Sequence, residues 1–139
     1  MYAFAGVDEK TGEVTLPDAH ADKEIQYPGD EGVDGDLYGN LKALYLLKKE
    51  HRHLKVLLSI GGWRNKPDIE TAIYDEKKHA RLVKSAVRMV EDYGFDGLDM
   101  HYEIYTSVDE SIVYLALLAN FELRLTNTRS TSRMATAIC

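Results

Sequence analysis

The sequence predicts an α/β fold in which a parallel sheet is built from successive strand–helix units. Two observations support this prediction. Buried strands alternate with amphipathic helices along the chain, and three ionisable residues occupy every second position of one strand. These residues are Asp99, His101 and Glu103, within YGFDGLDMHYEIY at residues 93–105. Strands that alternate with helices imply right-handed crossovers, and the sheet is then either open and doubly wound or part of a barrel.

The first third of the chain predicts a strand, a small hairpin and a surface loop. MYAFAGV is short, aromatic and apolar, which is typical of a buried strand. Thr11-Gly12 lies between two extended stretches and indicates the hairpin. Residues 21–40 are acidic and rich in Gly and Asp, so we expect a solvated loop, and they contain no calcium-loop spacing.

The middle of the chain predicts a helix and then a strand that is buried on both faces. Leucines recur at three- and four-residue steps, which is the spacing of a helix: Leu37, Leu41, Leu44 and Leu47. The apolar run from Val56 to Ile60, closed by a Gly-Gly pair, is typical of a strand in a parallel sheet. His51 and His53 lie between this helix and this strand and could together bind a metal ion. No Cys or carboxylate cluster completes such a site, so a solvated turn is the favoured interpretation.

A second helix, a third strand and a third helix are predicted to follow. One apolar stripe indicates a helix that Gly94 terminates, and it consists of Leu82, Val83, Ala86, Val87 and Val90. FDGLDMHYE predicts the third strand. Ser107 and Glu110 form the S-x-x-E order of a helix N-terminus. The apolar series of this last helix is Ile112, Leu115, Leu118, Ala119 and Leu125.

The third strand favours a barrel over an open sheet. Its odd-numbered residues from Gly97 to Glu103 share one face, while Leu98, Met100 and Tyr102 share the other and are expected to pack against helices. A solvated outer strand of an antiparallel sheet would alternate in the same way. Both faces of an open parallel sheet are covered by helices, which disfavours ionisable groups in line. The inward face of a barrel instead opens onto an active-site end.

Composition limits the size of the domain and its partners. With 139 residues and 45% hydrophobic content, the chain is long enough for one domain with a real core, residues 1–139. Lys and Arg number 17 against 23 Asp and Glu, a formal charge of -6, so no nucleic-acid partner is expected. The single Cys139 allows no intrachain disulfide. No apolar run reaches membrane-spanning length, and no signal peptide is expected before YAFA.

Two sequence signatures resemble those of family 18 chitinases. SIGGW, followed some thirty residues later by DGLDMHYE, is similar to the family's S-x-G-G on barrel strand three and D-G-x-D-x-D-x-E on strand four. Four stretches of the sequence also resemble the fungal branch of the family: YAFA, LYGNLKALYLLKK, LKVLLSIGGW and AVRMVEDYGFDGLD. The resemblance covers about residues 2–125 and implies parallel (β/α) units of a TIM-type barrel.

The same resemblance implies that this barrel is incomplete. A whole barrel needs about 250 residues, so strand one and most or all of strands five to eight are missing. Residues 126–139 resemble the family poorly. For this tail, a fifth strand that starts at MATAIC and a disordered Ser/Thr-rich end are both open.

The resemblance also implies a chemistry for the ionisable face. Family 18 enzymes are substrate-assisted: the N-acetyl carbonyl of the substrate attacks the anomeric carbon. By resemblance, Glu103 is the general acid, position 101 holds the N-acetyl group, and Asp99 shares a proton with position 101. Asp99 and Glu103 lie roughly 13 Å apart at about 3.3 Å per residue, so they communicate only through position 101. The resemblance implies no cofactor and no metal.

Further positions carry over from the same motifs. The substrate-binding positions are Phe4, Gly61, Gly62 and Trp63, and the supporting ones are Ser59 and Asp96. Ser59 is expected to hydrogen-bond Asp99, Phe4 to line the floor of the cleft, and Trp63 to stack on a sugar ring. Ordinary barrel packing is an equally open interpretation of Phe4 and Ser59. For Trp63, which directly follows the Gly-Gly pair, a function is favoured.

The sequence departs from the family pattern in the second signature. His101 replaces the last Asp, Tyr102 replaces the usual Trp, and EIY stands in place of EYP. A neutral His101 could accept a hydrogen bond from the N-acetyl N–H, but the neighbouring Asp99 and Glu103 favour its protonated form. A cation there would oppose the cationic intermediate and favour ionised Glu103, whereas a general acid must carry its proton.

Two classes of function therefore stay open. The first is a hydrolase of β-1,4-linked N-acetylglucosamine polymers, which the presence of Glu103 favours. The second is a module that binds chitin or chito-oligosaccharides without turnover, which His101 favours, and a non-functional fragment is a third interpretation. Family resemblance implies an extracellular location. The missing strands predict unpaired edges beside YAFA and GLDMHYE, through which the chain is expected to self-associate.

Overall fold

The structure, a computed structural model, describes residues 1–30, 37–102 and 107–136, and for residues 129–136 the backbone alone. Within these ranges, four strands form one sheet in the order β2-β1-β3-β4. The strands are β1 Tyr2–Val7, β2 Val14–Thr15, β3 Leu57–Gly61 and β4 Gly97–His101. Strands β1, β3 and β4 run parallel, which confirms the predicted parallel α/β fold.

Helices connect the parallel strands and follow the last one. They are α1 Gly39–Glu50, α2 Lys66–Tyr74, α3 Glu76–Tyr93 and α4 Val108–Thr136. Helix α3 begins after Asp75, whose carboxylate accepts the Lys78 N–H at 2.9 Å, and it ends at Gly94 with φ 70°, as predicted. Ser107 caps α4, because its Oγ accepts the Glu110 N–H at 3.1 Å. No helix of the described residues is both long enough and apolar enough to cross a membrane.

The predicted hairpin after β1 is confirmed. Strand β2 pairs antiparallel with the end of β1, with Val7 opposite Val14. The turn contains Gly12 at φ 77°, where a Cβ atom would lie 2.7 Å from the Cβ of Lys78. Both the backbone angle and the space therefore require glycine at this position.

The core lies between the parallel strands and the helices. The side chains of Leu58 and Ile60 on β3 are fully buried, as are Ile69 on α2 and Leu82 on α3. The predicted stripe of α3 is confirmed, since all five of its residues are buried: Leu82, Val83, Ala86, Val87 and Val90. Of the leucines predicted for α1, Leu41 is buried but Leu47 is 43% exposed.

The acidic segment is not a solvated loop throughout, so that expectation was wrong. His20–Glu24 forms a short π-helical turn. Within it, Asp22 is only 7% exposed and accepts a hydrogen bond from the Tyr2 hydroxyl at the start of β1. The turn also packs against the start of α1, because a Cβ at Gly39 would lie 2.5 Å from the Ala21 carbonyl oxygen. The remaining acidic residues at 31–36 lie outside the described part of the chain.

Helix α2 was not predicted, although the sequence contains signals for it. Pro67 occupies the first turn, where its missing N–H costs nothing. Ile69, Ala72 and Ile73 follow at helical spacing, and all three are buried. Two apolar steps in a nine-residue helix are a weak periodic signal, and the stronger stripe of α3 masked it.

The prediction for α4 was wrong about its buried face and about its end. Leu117 and Phe121 are buried, whereas Ile112 and Leu115 of the predicted series are 58% and 63% exposed. The helix also continues to Thr136, which excludes a strand that starts at Met134. A helix satisfies its backbone groups internally, while a strand here would need a neighbour. Residues 137–139 lie outside the described part of the chain.

Candidate active-site cleft

The paired strands β3 and β4 bring together the serine and the aspartate of the two signatures at their central residues. Ser59 lies opposite Asp99 in the parallel register. The Ser59 Oγ donates a hydrogen bond to Asp99 Oδ2 at 2.6 Å, as expected, and Ser59 is fully buried. Because the register fixes the two Cα positions and the hydroxyl fixes the carboxylate, Asp99 is held in one orientation.

His101 lies two residues further along β4, at the mouth of the cleft. It is opposite Gly61 in the register, and its carbonyl accepts the Gly62 N–H at 3.1 Å. Its exposed ring lies 5.2 Å from the Phe4 ring, with 57° between the ring planes. Phe4 is 43% exposed, so the pair forms an accessible aromatic surface rather than core packing.

The Gly-Gly pair after β3 allows this close approach. Gly61 has φ 118°, and a Cβ there would lie 2.5 Å from the His101 carbonyl oxygen. Gly62 has φ 78°, and a Cβ there would lie 3.2 Å from the Phe4 ring. Both glycines therefore shape the cleft through their backbone, which is a structural reason for the motif independent of any substrate.

Trp63 follows the glycines and projects into solvent. It is 88% exposed and starts a single 3₁₀ turn, Trp63–Asn65. The Asn65 side-chain amide fixes this turn by donating to the Gly61 carbonyl at 2.6 Å. A shallow cleft lies between the turn and the end of β4, and it is lined by Gly62, Trp63, Lys66, His101 and Tyr102. An exposed indole on a fixed turn can stack on a flat apolar ring.

The opposite face of β4 packs against the helices, as predicted for this strand. Leu98 and Met100 are partly buried against the core. Tyr102 is 8% exposed, and its ring lies 5.6 Å from that of Tyr114 on α4. The two-faced character of the strand is thus confirmed for positions 98–102. Glu103, the predicted general acid, lies outside the described part of the chain.

A buried tyrosine–carboxylate contact, which the sequence did not predict, anchors the end of β4. The Tyr102 hydroxyl donates to Glu110 at 2.6 Å, and its oxygen also lies 3.4 Å from a carboxylate oxygen of Glu70. Burial, together with the Glu110 carboxylate, raises the pKa of Tyr102 and keeps it a neutral donor. Lys66 lies over the same tyrosine, with its Nζ 5.9 Å from the Tyr102 ring centre. Glu110 could be recognised from the sequence only as a helix-capping residue.

Helix α4 also covers the outer edge of β4. The Tyr114 hydroxyl donates to the Met100 carbonyl at 3.2 Å. The next carbonyl, that of His101, faces β3, so the Met100 carbonyl faces the edge that has no strand partner among the described residues. Burial and the nearby Asp99 carboxylate raise the pKa of Tyr114, which keeps this donor protonated.

Asp96, the supporting aspartate, lies at the other end of β4. Its carboxylate accepts the Val56 N–H at 2.8 Å and pairs with Lys48 at 2.6 Å and with Lys55 at 3.2 Å. Burial alone would raise its pKa, but these three donors together lower the pKa to about 2. Asp96 thus joins α1, β3 and β4, and it acts on the cleft only through the position of β4.

The two histidines between α1 and β3 do not complete a metal site. The His51 and His53 rings lie 6.2 Å apart, and both residues are exposed. Within residues 1–30, 37–102 and 107–136, no group of three or more His, Cys, Asp or Glu side chains could hold a metal ion.

The chain resembles chitinases in both sequence and structure. The sequence profile of glycosyl hydrolases family 18 matches residues 1–138. Endochitinase 1 of Metarhizium robertsii is 37% identical over 120 residues, which are 85% of this chain and 28% of that protein. Chitinase 1 of Aphanocladium album is 39% identical over 105 residues, which are 74% of this chain and 25% of that protein.

A solved chitinase structure is also similar to the chain. A variant of the GH18 chitinase from Cycas revoluta, in complex with (GlcNAc)4, superposes with a TM-score of 0.72 at 26% identity, over 94% of this chain and 34% of that chain. The chain therefore spans about a quarter to a third of the length of these relatives. Its three parallel strands and their helices are (β/α) units of a TIM-type barrel, present here in part. With the profile match over nearly its whole length, the chain belongs to glycosyl hydrolases family 18.

Proposed function

We propose that residues 1–139 are part of the catalytic domain of a chitinase that hydrolyses β-1,4-linked N-acetylglucosamine polymers. The observation that carries this proposal is the Ser59–Asp99 hydrogen bond in the middle of two parallel strands, whose carboxyl ends form an aromatic cleft. Active sites of TIM barrels lie at this end. Membership of family 18 and the chitinase names of the relatives agree with this substrate class.

In the proposed mechanism, the N-acetyl carbonyl of the substrate attacks the anomeric carbon while Glu103 protonates the leaving oxygen. Asp99 is a positioning residue, because its carboxylate, oriented by Ser59, lies next to position 101 on the strand. His101 holds the N-acetyl group through one hydrogen bond, in place of the aspartate typical of the family. Phe4 and Trp63 contact the sugar rings, and Gly61 and Gly62 give the rings room to approach.

A second function, binding without turnover, is favoured by a specific observation. His101 stands where the family has Asp, and its ring extends the Phe4 surface instead of presenting a carboxylate. The 88% exposed Trp63 adds a third aromatic surface. Stacking on sugar rings requires flat apolar surfaces and no proton transfer, so these contacts persist when catalysis is lost.

One experiment separates the two functions. Trp63 is the only tryptophan in the chain, so its fluorescence reports directly on sugar binding near the cleft. The chain is titrated with (GlcNAc)4, and release of a fluorophore from a chito-oligosaccharide reporter is measured in parallel. Turnover above that of Glu103→Gln supports the hydrolase, whereas a fluorescence change with equal turnover supports the binding module. If neither signal changes, both proposals are wrong.

We also propose that the chain associates with itself through α4. One side of this helix carries four apolar residues that are 58–76% exposed, namely Val108, Ile112, Leu115 and Leu123. Their spacing places them opposite the buried face that contains Leu117 and Phe121. Contiguous exposed apolar surface of this kind favours association. Because Tyr114 covers the β4 edge at Met100, we expect the contact along the exposed side of α4 rather than by strand pairing.

Light scattering coupled to size-exclusion chromatography tests this association. The unmodified chain is expected to elute with a mass above one chain, and Leu115→Glu is expected to shift it towards the monomer. Leu46→Glu is the matched control, because Leu46 is a 50% exposed leucine on α1, away from α4. A monomer at high concentration, or an equal effect of both substitutions, would contradict the proposal.

A further inference from the structure

A cationic cavity lies at the end of the sheet opposite the cleft. It has a volume of about 320 Å³ and lies where α1 ends and β3 begins, with Gly94 before β4 in its wall. We call it the cationic cavity, and its charged residues are Lys48, Lys49, Arg52 and Lys55. The five residues of β4 separate it from the cleft by roughly 15 Å, since a strand rises about 3.3 Å per residue.

The cationic cavity carries more positive charge than its surroundings neutralise. Among the described residues, the only carboxylate paired with its cations is Asp96, which lies 2.6 Å from Lys48 and 3.2 Å from Lys55. Four cations against one carboxylate leave three positive charges. They are concentrated in one cavity of a chain whose formal charge is -6, so the excess is local and does not reflect overall composition.

The ends of secondary structure explain only part of this charge. Lys48 and Lys49 lie in the last turn of α1, where cations complement the negative end of the helix dipole. Arg52 and Lys55 lie beyond the end of that helix, so the dipole does not account for them. Arg52 is exposed, and a guanidinium presents a planar fork of donors that matches sulfate, phosphate or carboxylate oxygens.

The wall of the cationic cavity indicates what kind of anion fits. Tyr45 forms one side and is 60% exposed, so the face of its ring is accessible to a ligand in the cavity. A ring next to a guanidinium and ammonium groups offers stacking to a pyranose face and ion pairing to its acidic substituents. A concave site suits a single sugar unit better than a flat bilayer.

We propose that the cationic cavity binds a sulfated or phosphorylated sugar unit of an acidic glycan, independently of the cleft. Heparin oligosaccharides serve as the sulfated probe, and their binding to the full chain is measured by titration calorimetry. If three charges are neutralised, affinity should fall about 40-fold between about 50 and 200 mM salt, with the slope known for duplex polyanions as a guide. Neutral chito-oligosaccharides should not compete for this site.

Matched double variants locate the site. Lys49→Gln with Arg52→Gln removes two of the three charges, so heparin affinity should fall at least tenfold and its salt dependence should shrink to about 3-fold over the same range. Lys77→Gln with Lys84→Gln changes the net charge equally on the exposed face of α3 and should leave both values close to those of the unmodified chain. All four side chains are exposed, so the fold is expected to tolerate both changes.

Two further measurements decide the class of ligand. Tyr45→Ala should lower heparin affinity severalfold without changing the salt dependence, because stacking carries no charge. Vesicles of phosphatidylserine and phosphatidylcholine should bind more weakly than heparin. Absence of heparin binding at about 50 mM salt would overturn the proposal, as would an equal loss in the α3 control. Vesicle binding that is tighter than heparin and depends on Lys49 and Arg52 would also overturn it, in favour of a membrane surface.

Discussion

Asp96 provides the sharpest test of how the sheet is held together. Its pKa is lowered from 3.8 to about 2, a difference of nearly two units, and each unit corresponds to about 1.4 kcal/mol. The carboxylate is 21% exposed, and solvent reduces the value of its ion pairs, so we expect a contribution of about 1–2 kcal/mol to the free energy of unfolding at neutral pH. Asp96→Asn should remove this contribution.

The direction of the pH dependence follows from the lowered pKa. The unfolded chain takes up a proton on Asp96 near pH 4, whereas the folded chain resists until about pH 2. The stabilisation is therefore fully present above about pH 5 and is lost as the pH falls towards 2. By about pH 3, roughly half of the difference between the unmodified chain and Asp96→Asn should have disappeared.

Urea unfolding at a series of pH values measures this difference. Other carboxylates titrate in both proteins, so their effect cancels in the comparison. Asp92→Asn is the matched control, because Asp92 is 59% exposed and its contact with Arg88 at 3.7 Å should contribute less than about 0.5 kcal/mol. A difference between the unmodified chain and Asp96→Asn that stays constant from pH 7 to pH 3 would refute the ion-pair explanation.

Three further substitutions test the cleft. Tyr102→Phe should lower the free energy of unfolding by about 1–3 kcal/mol in urea titrations, because it removes the short hydrogen bond to the buried Glu110. Ser59→Ala should cost about 1 kcal/mol and lower reporter turnover, since Asp99 loses its orienting donor. His101→Asp should raise reporter turnover by a factor of at most about 10² to 10³. If its turnover stays at the background of Glu103→Gln, position 101 is not the limiting defect.

Local sequence rules were sufficient to predict the two faces of β4. The alternation of Asp99 and His101 with Leu98 and Met100 depends only on the pleat of a strand, so the structure confirms it. The pairing of Ser59 with Asp99 required the resemblance as well, because the register between two parallel strands is not written in either strand alone.

Contacts between distant residues explain what the sequence did not reveal. The apolar residues of α4 form two opposite stripes, so periodicity cannot tell which one is buried. The choice is made by Tyr114, whose hydroxyl reaches Met100, and by Glu110, which receives the Tyr102 hydroxyl. Asp22 is a similar case. It is buried beside Tyr2, twenty positions earlier, whose hydroxyl donates to its carboxylate, and nothing near Asp22 in the sequence indicates this contact.

The Tyr114 hydroxyl bond gives the edge of β4 a property that a bare strand edge does not have. Any strand that joins here, from a second chain or from a longer version of this one, meets an aromatic side chain before it meets the Met100 carbonyl. Displacing that ring exchanges one donor for another, so the first rung of a new ladder yields little net stabilisation. Growth of the sheet then requires several inter-strand hydrogen bonds to form together, so strand addition at this edge is cooperative and has a barrier. This disfavours non-specific edge-to-edge aggregation.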